Sequence, residues 1–179
     1  MNHMLFEEIL NQIHNQNIKK FVIECLKKAP DELNTIPAST SGKYHPEECC
    51  KEGGLVAHIK RACFFATILL DSHKINCQDI KGDVLLASVL LHDIGKKGEY
   101  GKNYSEYVNH PLVAATMIEE FKSLIPPNIF KTIQNCVKFH MGPFSNSVWG
   151  KNINDYTMLE LMTYYSDYLA SKKCFTILK

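Results

Sequence analysis

The sequence lacks any strong excess of charge of one sign. Its 20 Lys and Arg residues are balanced by 19 Asp and Glu residues, which leaves a formal net charge of +1. Attraction to large polyanions requires a dominant positive field, and a nearly neutral chain does not supply one. We therefore expect no extended nucleic-acid surface, although a local basic pocket is compatible with a neutral total.

Long apolar runs and a disulfide framework are missing too. No segment reaches the ~18 uninterrupted apolar residues of a membrane span, and the opening MNHMLFEEIL carries Glu7 and Glu8 instead of a basic stretch. The seven cysteines are an odd number without framework spacing, which is typical of a reduced protein. The adjacent Cys49 and Cys50 suit neither an ordinary disulfide nor a Cys-x-x-Cys metal site and are interpreted as loop residues. These absences predict a cytoplasmic location and no membrane partner.

The alternating pattern of half-buried strands is also absent, and apolar residues recur at helical spacing instead. With 45% hydrophobic residues the chain can build one sizeable core. We predict a compact all-α helical bundle formed by a single domain over residues 1–179. Two amphipathic helices are expected within residues 1–29, a long loop rich in Pro and Gly over 30–54, and a helical core over 55–172. Core helices are predicted at residues 55–70, from 80 or 84 to 92, at 111–121 with Pro111 in the first turn, at 128–139 and at 158–170.

Polar residues that interrupt these apolar helices are the main functional signal. The run VLLASVLLHDIGK ends in His92 and Asp93 at a place where a solvated cap is usual. Other residues of this kind are His58, His110, His140 and Asp167. Buried imidazoles and carboxylates are costly unless they are hydrogen-bonded, paired or bound to a metal. Taken singly, each is explained as well by a hydrogen-bonded core residue, but the ordered set has the spacing by which a bundle brings ligands to one internal point.

The donor types of this set restrict the metal. Imidazole together with carboxylate suits iron, manganese, zinc or magnesium, and the lack of a thiolate argues against a cysteine-rich structural zinc site. A carboxylate has two oxygens, so Asp93 is the natural bridge between two ions. A pair of ions held in this way can bind a phosphate while water attacks it.

Five motifs together resemble the HD-domain superfamily of metal-dependent phosphohydrolases. They are GGLVAHIKRA around His58, LLHDIGK around His92 and Asp93, NHPLVAA around His110, VKFH at His140 and YYSDYLAS around Asp167. The resemblance implies an all-α fold and a metal ion bound by His58, His92, Asp93 and Asp167. It further implies a second ion, bound by His110 and His140 and bridged by Asp93, as in the six-ligand dinuclear branch. The implied cofactors are two divalent ions, with iron first and manganese, zinc or magnesium as alternatives.

Cations close to these motifs are predicted to contact a phosphate. Lys96 lies three residues after Asp93 and Arg61 three residues after His58, so helical geometry would place each cation near a ligand. Gly95 is expected to end the helix and let Lys96 turn inward. Asp93 and Lys96 are the predicted catalytic residues. The loop segment SGKYHP offers Ser41, Lys43, Tyr44 and His45 as substrate contacts. The alternative is that these residues do not contact a substrate and are ordinary solvent-exposed charges or loop residues. We favour this alternative for Arg61 and Tyr44.

The function predicted from these features is hydrolysis of a phosphoester or phosphoanhydride in a nucleotide or similar small phosphorylated substrate. A mixed-valent di-iron oxygenase on the same scaffold is one alternative, since a fold does not fix its chemistry. A non-catalytic nucleotide-binding regulatory module is another. Phosphate release without oxygen favours the hydrolase, oxygen uptake with iron favours the oxygenase, and tight ligand binding with neither favours the regulatory module.

Overall fold

The computed structural model describes residues 2–39, 42–75, 79–96, 104–145 and 149–175, with the backbone alone for residues 104–108. Within these ranges the regular structure is helical and includes no strand, which confirms the all-α prediction. The α-helices are α1 (Glu7–Leu10), α2 (Gln16–Lys28), α3 (Gly54–Ser72), α4 (Ile80–Leu91), α5 (Tyr104–Met117), α6 (Pro127–Phe139) and α7 (Met158–Ala170). Short 3-10 helices lie at Asn2–Phe6, Asp31–Asn34, Glu47–Cys49, Ile118–Leu124, Gly142–Phe144 and Ile153–Asp155.

Helix α4 lies at the centre of the bundle because its sequence is apolar on almost every face. Every residue from 82 to 91 is buried, the pattern of a helix surrounded by other helices. It packs against α2, α3, α6 and α7, while α3 packs against α7 and α5 against α6. Although α4 is apolar, no helix in the described part of the chain has the length and apolarity needed to cross a bilayer.

A buried carboxylate joins the N-terminal helices to α4. Asp83 is 2% exposed and accepts hydrogen bonds from the backbone N–H groups of His14 at 2.9 Å and Asn15 at 2.7 Å. Asn15 is in turn the N-cap of α2, since its side chain accepts from the backbone N–H groups of Asn17 and Ile18. The carboxylate of Asp83 is therefore satisfied by backbone donors and has a structural role.

The predicted start of the third core helix was wrong. Helix α5 begins at Tyr104 and carries Pro111 inside it, and it ends at Met117, where a 3-10 helix continues the chain. Proline in a helix interior removes one backbone hydrogen bond, but Pro111 and Ala114 are buried, and tertiary packing overrides the local preference. Proline at a helix start is found instead at Pro127, the first residue of α6.

The cysteines of the described residues are free, and Cys77 lies outside those residues. Burial raises the pKa of the Cys49 and Cys136 thiols to about 12, so both remain protonated at neutral pH. Cys49 is fully buried, whereas the Sγ of Cys50 donates to the carbonyl of Pro46 at 3.3 Å. The adjacent pair therefore consists of one core residue and one loop residue.

Candidate metal centre

Six polar side chains meet where the core helices of the bundle converge. They are His58 from α3, His92 and Asp93 directly after α4, His110 from α5, His140 directly after α6, and Asp167 from α7. The first five residues are at most 3% exposed, whereas the Asp167 side chain is 23% exposed and faces a cavity. The bundle therefore brings all six predicted ligands together.

One group of donor atoms surrounds the Oδ2 side of Asp93. His58 Nε2 lies 2.9 Å from Asp167 Oδ1 and 3.5 Å from Asp93 Oδ2. His92 Nε2 lies 3.2 Å from Asp93 Oδ2 and 3.7 Å from Asp167 Oδ1. The ligand atoms of His58, His92 and Asp167 all lie within 4.8 Å of one another. Two imidazole nitrogens and the Asp167 oxygen therefore surround a common point, with Asp93 Oδ2 beside both nitrogens. Imidazole together with carboxylate is a donor set that suits a divalent transition metal.

A second group of donor atoms faces the other oxygen of Asp93. His110 Nε2 lies 3.0 Å and His140 Nε2 lies 3.6 Å from Asp93 Oδ1, and these two nitrogens are 3.0 Å apart. Asp93 thus directs Oδ2 toward the first group and Oδ1 toward the second. This is the arrangement required of a carboxylate that bridges two ions.

Backbone hydrogen bonds define the orientation of two of the rings. His92 Nδ1 lies 2.6 Å from the carbonyl oxygen of Val89, and His140 Nδ1 lies 2.8 Å from that of Val137. A carbonyl oxygen only accepts, so each Nδ1 carries the hydrogen and each Nε2 presents its lone pair when the ring is neutral. Metal-binding histidines commonly have this outer hydrogen bond.

Two buried atoms that belong to these two donor groups lack a geometrically ideal hydrogen-bond partner among the described residues. They are His92 Nε2 and Asp93 Oδ1, and His110 Nε2 lies 3.0 Å from the latter. An orphaned buried polar atom costs about 1–3 kcal/mol. An ion in the first group would satisfy His92 Nε2 and an ion in the second group would satisfy Asp93 Oδ1, so the residues present fit a metal site.

Ionisation of the imidazoles also bears on metal binding. Burial lowers the pKa of His58, and it lowers the pKa of His110 to about 4 even though Asp93 opposes the shift. Both rings are therefore neutral near pH 7 and have a lone pair to offer. For His92 burial acts in the same direction, but the charges of Asp93 and Asp167 outweigh it and raise the pKa. A proton therefore competes with a metal ion at His92.

The two carboxylates are held in their ionised form. Burial alone would raise the pKa of Asp93, but the positive charges of His92 and Lys96 outweigh burial and hold that pKa well below its usual range. Burial would also raise the pKa of Asp167, but a hydrogen bond from His58 and the charge of His92 outweigh this effect and keep the pKa low. Ionised carboxylates are the form that coordinates a cation.

Comparison with known families agrees with this geometry. A family model described as "HD domain" matches residues 55–172, more than half of the chain. The chain belongs to the HD domain family. The match confirms the resemblance to the HD-domain superfamily, while the six-ligand dinuclear branch stays a prediction. HD domains are mostly metal-dependent hydrolases that bind divalent metals. Searches of curated proteins and of solved structures gave no match to this HD domain protein.

Lys96 of this HD domain lies directly beside the proposed bridging carboxylate. Its side chain is buried, and its Nζ donates to Asp93 Oδ2 at 2.6 Å. Lys96 also lines a cavity of about 600 Å³ together with His110, His140 and Asp167. The structure therefore places a cation between the candidate metal centre and the space that is open to a substrate.

The expectation that Gly95 ends the helix was wrong. Helix α4 already ends at Leu91, and Gly95 does not have the left-handed conformation of a glycine cap. A Cβ atom at this position would lie 2.6 Å from the carbonyl oxygen of His110 and 2.7 Å from the backbone nitrogen of Ala114. Gly95 therefore allows α5 to approach closely, and this approach brings His110 to Asp93.

The Gly95→Ala substitution should weaken the metal centre through its backbone. The new methyl group has to displace α5, because backbone atoms of that helix occupy its place. We expect a loss of about 1–3 kcal/mol in the free energy of unfolding together with a reduced metal content. Thermal denaturation and elemental analysis measure the two effects, and unchanged values of both would contradict this role of Gly95.

The loop before α3 forms one wall of the cavity. The His45 ring centroid lies 5.2 Å from that of His58, and both Tyr44 and His45 line the cavity. Lys43 Nζ lies 5.0 Å from the centroid of the Tyr44 ring. Ser41, which was also predicted as a contact, lies outside the described residues. The substrate contacts predicted for Lys43 and His45 remain predictions, and His45 is already next to a candidate ligand.

The structure does not bring Arg61 into the candidate metal centre. Its Nε donates to the carbonyl of Ala170 at 3.0 Å, and one Nη donates to the carbonyls of Lys172 at 3.1 Å and of Phe175. Another Nη lies 3.6 Å from the carboxylate of Glu48. These contacts fasten α3 to the chain that follows α7, and they favour a structural role for this buried arginine.

Replacing Arg61 with alanine should therefore destabilise the fold. The change leaves the carbonyls that Arg61 binds without a donor and costs about 2–4 kcal/mol. Lys60→Ala is the matched control, because Lys60 is exposed on the same helix and should change stability by less than about 0.5 kcal/mol. Chemical denaturation measures both variants, and equal stabilities would disprove the anchoring role.

Sequence reasoning missed several cavity residues. Tyr164, Tyr168 and Lys172 line the same space as Lys96 and Asp167, and Phe144 closes another side of it. A signal for the two tyrosines was available, since Tyr164 and Tyr168 are one helical turn apart and flank Asp167 in the motif YYSDYLAS. Phe144 and Lys172 had no such signal.

Proposed function

We propose that this HD domain protein is a metal-dependent phosphohydrolase that cleaves a phosphoester or phosphoanhydride of a nucleotide or similar small phosphorylated substrate. In this proposal His58, His92, Asp93, His110, His140 and Asp167 hold two divalent ions. The observation that carries it is the carboxylate of Asp93, which directs one oxygen to each group of imidazoles beside an open cavity. When bound, such ions act as Lewis acids and lower the pKa of a coordinated water.

Residues of the cavity wall would orient the phosphate and neutralise its charge. Negative charge on the nonbridging oxygens increases as a nucleophile attacks, and a fixed cation with little access to water stabilises it. Lys96 meets this description because it is buried and lines the cavity. Burial, together with the charge of Lys96, lowers the pKa of His45 to about 4, so its ring is neutral near pH 7. His45 would therefore hydrogen-bond a substrate and add no charge.

A combined metal and activity assay tests the proposed function. The purified protein is analysed for its metals and then screened for phosphate release from nucleotides and other phosphoesters, with and without added manganese or iron. We expect metal-dependent hydrolysis that does not consume oxygen. Oxygen uptake by the iron-loaded protein without hydrolysis would support the di-iron oxygenase instead, and tight nucleotide binding without either reaction would support a regulatory module.

A further inference from the structure

The cavity beside the candidate metal centre has aromatic side chains on several walls. Tyr44 comes from the loop before α3, Phe144 from the 3-10 helix after α6, and Tyr164 and Tyr168 from α7. Phe144 is 65% exposed and Tyr44 is 55% exposed, which makes them the most exposed aromatic side chains of the described residues. Large aromatic faces left to water at the mouth of a polar cavity gain contact area when a planar ligand covers them.

The chain segment that carries Phe144 is fixed to α7 by close packing. Gly142 has a φ of 55°, and a Cβ atom at this position would lie 2.6 Å from the ring of Tyr164. Both the backbone conformation and the close approach require glycine. Phe144, two residues later, therefore has a defined position relative to the helix that carries Asp167.

Tyr44 is fixed to the same helix through a lysine. The Nζ of Lys172 lies 3.9 Å from the ring centroid of Tyr168 and 5.4 Å from that of Tyr44, both within the range of a cation–π contact. The backbone carbonyl of Lys172 is held by Arg61. Both exposed aromatic residues are thus attached to α7 near Asp167, on the cavity side of the candidate metal centre.

We propose that Tyr44 and Phe144 stack on the nucleobase of a nucleoside phosphate whose phosphate group lies at the metal centre. The binding of the phosphate at the metal centre rests on the proposed function. The binding of the base rests on the aromatic side chains that line the cavity. Base–aromatic stacking provides substantial binding free energy, and the hydroxyl groups of Tyr164 and Tyr168 and the lysines around the cavity offer hydrogen bonds to base edges. A sugar phosphate without a base would leave both aromatic faces in water.

Binding of paired ligands tests this inference without turnover. The probes are phosphonate analogues of the four common nucleoside 5′-monophosphates and of ribose 5-phosphate, in which a C–P bond replaces the hydrolysable P–O bond. Calorimetry on the purified, metal-loaded protein should show that at least one nucleoside analogue binds about fivefold or more tighter than the ribose analogue. Equal affinity for all five ligands would overturn the inference.

Substitutions assign the preference to particular residues. Phe144→Ala and Tyr44→Ala should each lower affinity for the nucleoside analogue about fivefold or more and leave affinity for the ribose analogue within about twofold. Tyr44→Phe should retain wild-type affinity, because the ring and not the hydroxyl group stacks. Phe64→Ala is the matched control, since Phe64 is 42% exposed on α3 outside this cavity and should change neither affinity.

The outcomes separate this inference from the proposed function. A nucleoside preference that Phe144→Ala abolishes would support base recognition even if no phosphate is released. Hydrolysis of sugar phosphates and nucleotides at equal rates, with no effect of Phe144→Ala on binding, would support the phosphohydrolase and disprove base recognition. An equal effect of Phe64→Ala would also disprove the assignment to this cavity.

Discussion

Asp93→Ala should remove both metal ions, whereas His110→Ala or His140→Ala should each remove mainly one. The reason is that Oδ2 of Asp93 lies in the donor group with His58, while Oδ1 lies in the group with His110 and His140. Loss of the shared carboxylate therefore affects both groups. Elemental analysis of the purified variants gives the metal content, and hydrolytic activity should fall in proportion to it.

A second buried aspartate provides the control for Asp93→Ala. Asp83 is also buried, but backbone N–H groups satisfy it in the first turn of α4, at the opposite end of that helix from His92 and Asp93. Asp83→Ala should lower the free energy of unfolding by about 1–3 kcal/mol and retain the wild-type metal content. Retention of two ions by Asp93→Ala would contradict the bridging arrangement.

Lys96→Ala should lower kcat by about 10²-fold or more, the scale measured for loss of one electrostatic donor, and retain both metals. Its ammonium group is buried beside Asp93 and lines the cavity, so it would meet a bound phosphate where charge builds up. Steady-state kinetics with elemental analysis on the same sample separates loss of catalysis from loss of metal.

Loop substitutions provide the contrast for Lys96→Ala. Lys43→Ala and His45→Ala should raise KM and alter substrate choice more than they lower kcat, because His45 lines the cavity and Lys43 lies next to Tyr44, which also lines it. Wild-type turnover by metal-replete Lys96→Ala would show that Lys96 only neutralises Asp93. The loop would then become the leading candidate for phosphate recognition.

The helices could be predicted from the sequence where an amphipathic or fully apolar pattern was continuous. Helix α7 spans Met158–Ala170 as predicted, and α4 ends within one residue of the predicted position. The convergence of the six polar side chains could be predicted as well, because unpaired polar groups inside apolar helices require a common partner. The start of α5 was missed because Pro111 is a strong local signal that burial against neighbouring helices overrides.

Features that depend on close approach could not be predicted from residue types. Gly95 was expected to cap a helix, but its role depends on where the backbone of α5 lies. Arg61 has the sequence spacing of a substrate contact, yet its side chain reaches carbonyls more than 100 residues later in the chain. Spacing along one helix says which residues share a face, whereas the direction of a long side chain depends on its partners.

The hydrogen bonds from His92 to Val89 and from His140 to Val137 have an evolutionary consequence. Each ring binds a carbonyl of the last turn of its own helix, a group that a helix end otherwise leaves unpaired. These two histidines are therefore expected to be retained partly for the helix ends that they cap, and not only for metal binding. A descendant protein that lost its metals would still be expected to keep histidine at 92 and 140. His58 differs, because its buried Nδ1 has no hydrogen-bond partner in the described structure and its Nε2 contacts Asp167 at 2.9 Å, so its retention would depend on that aspartate.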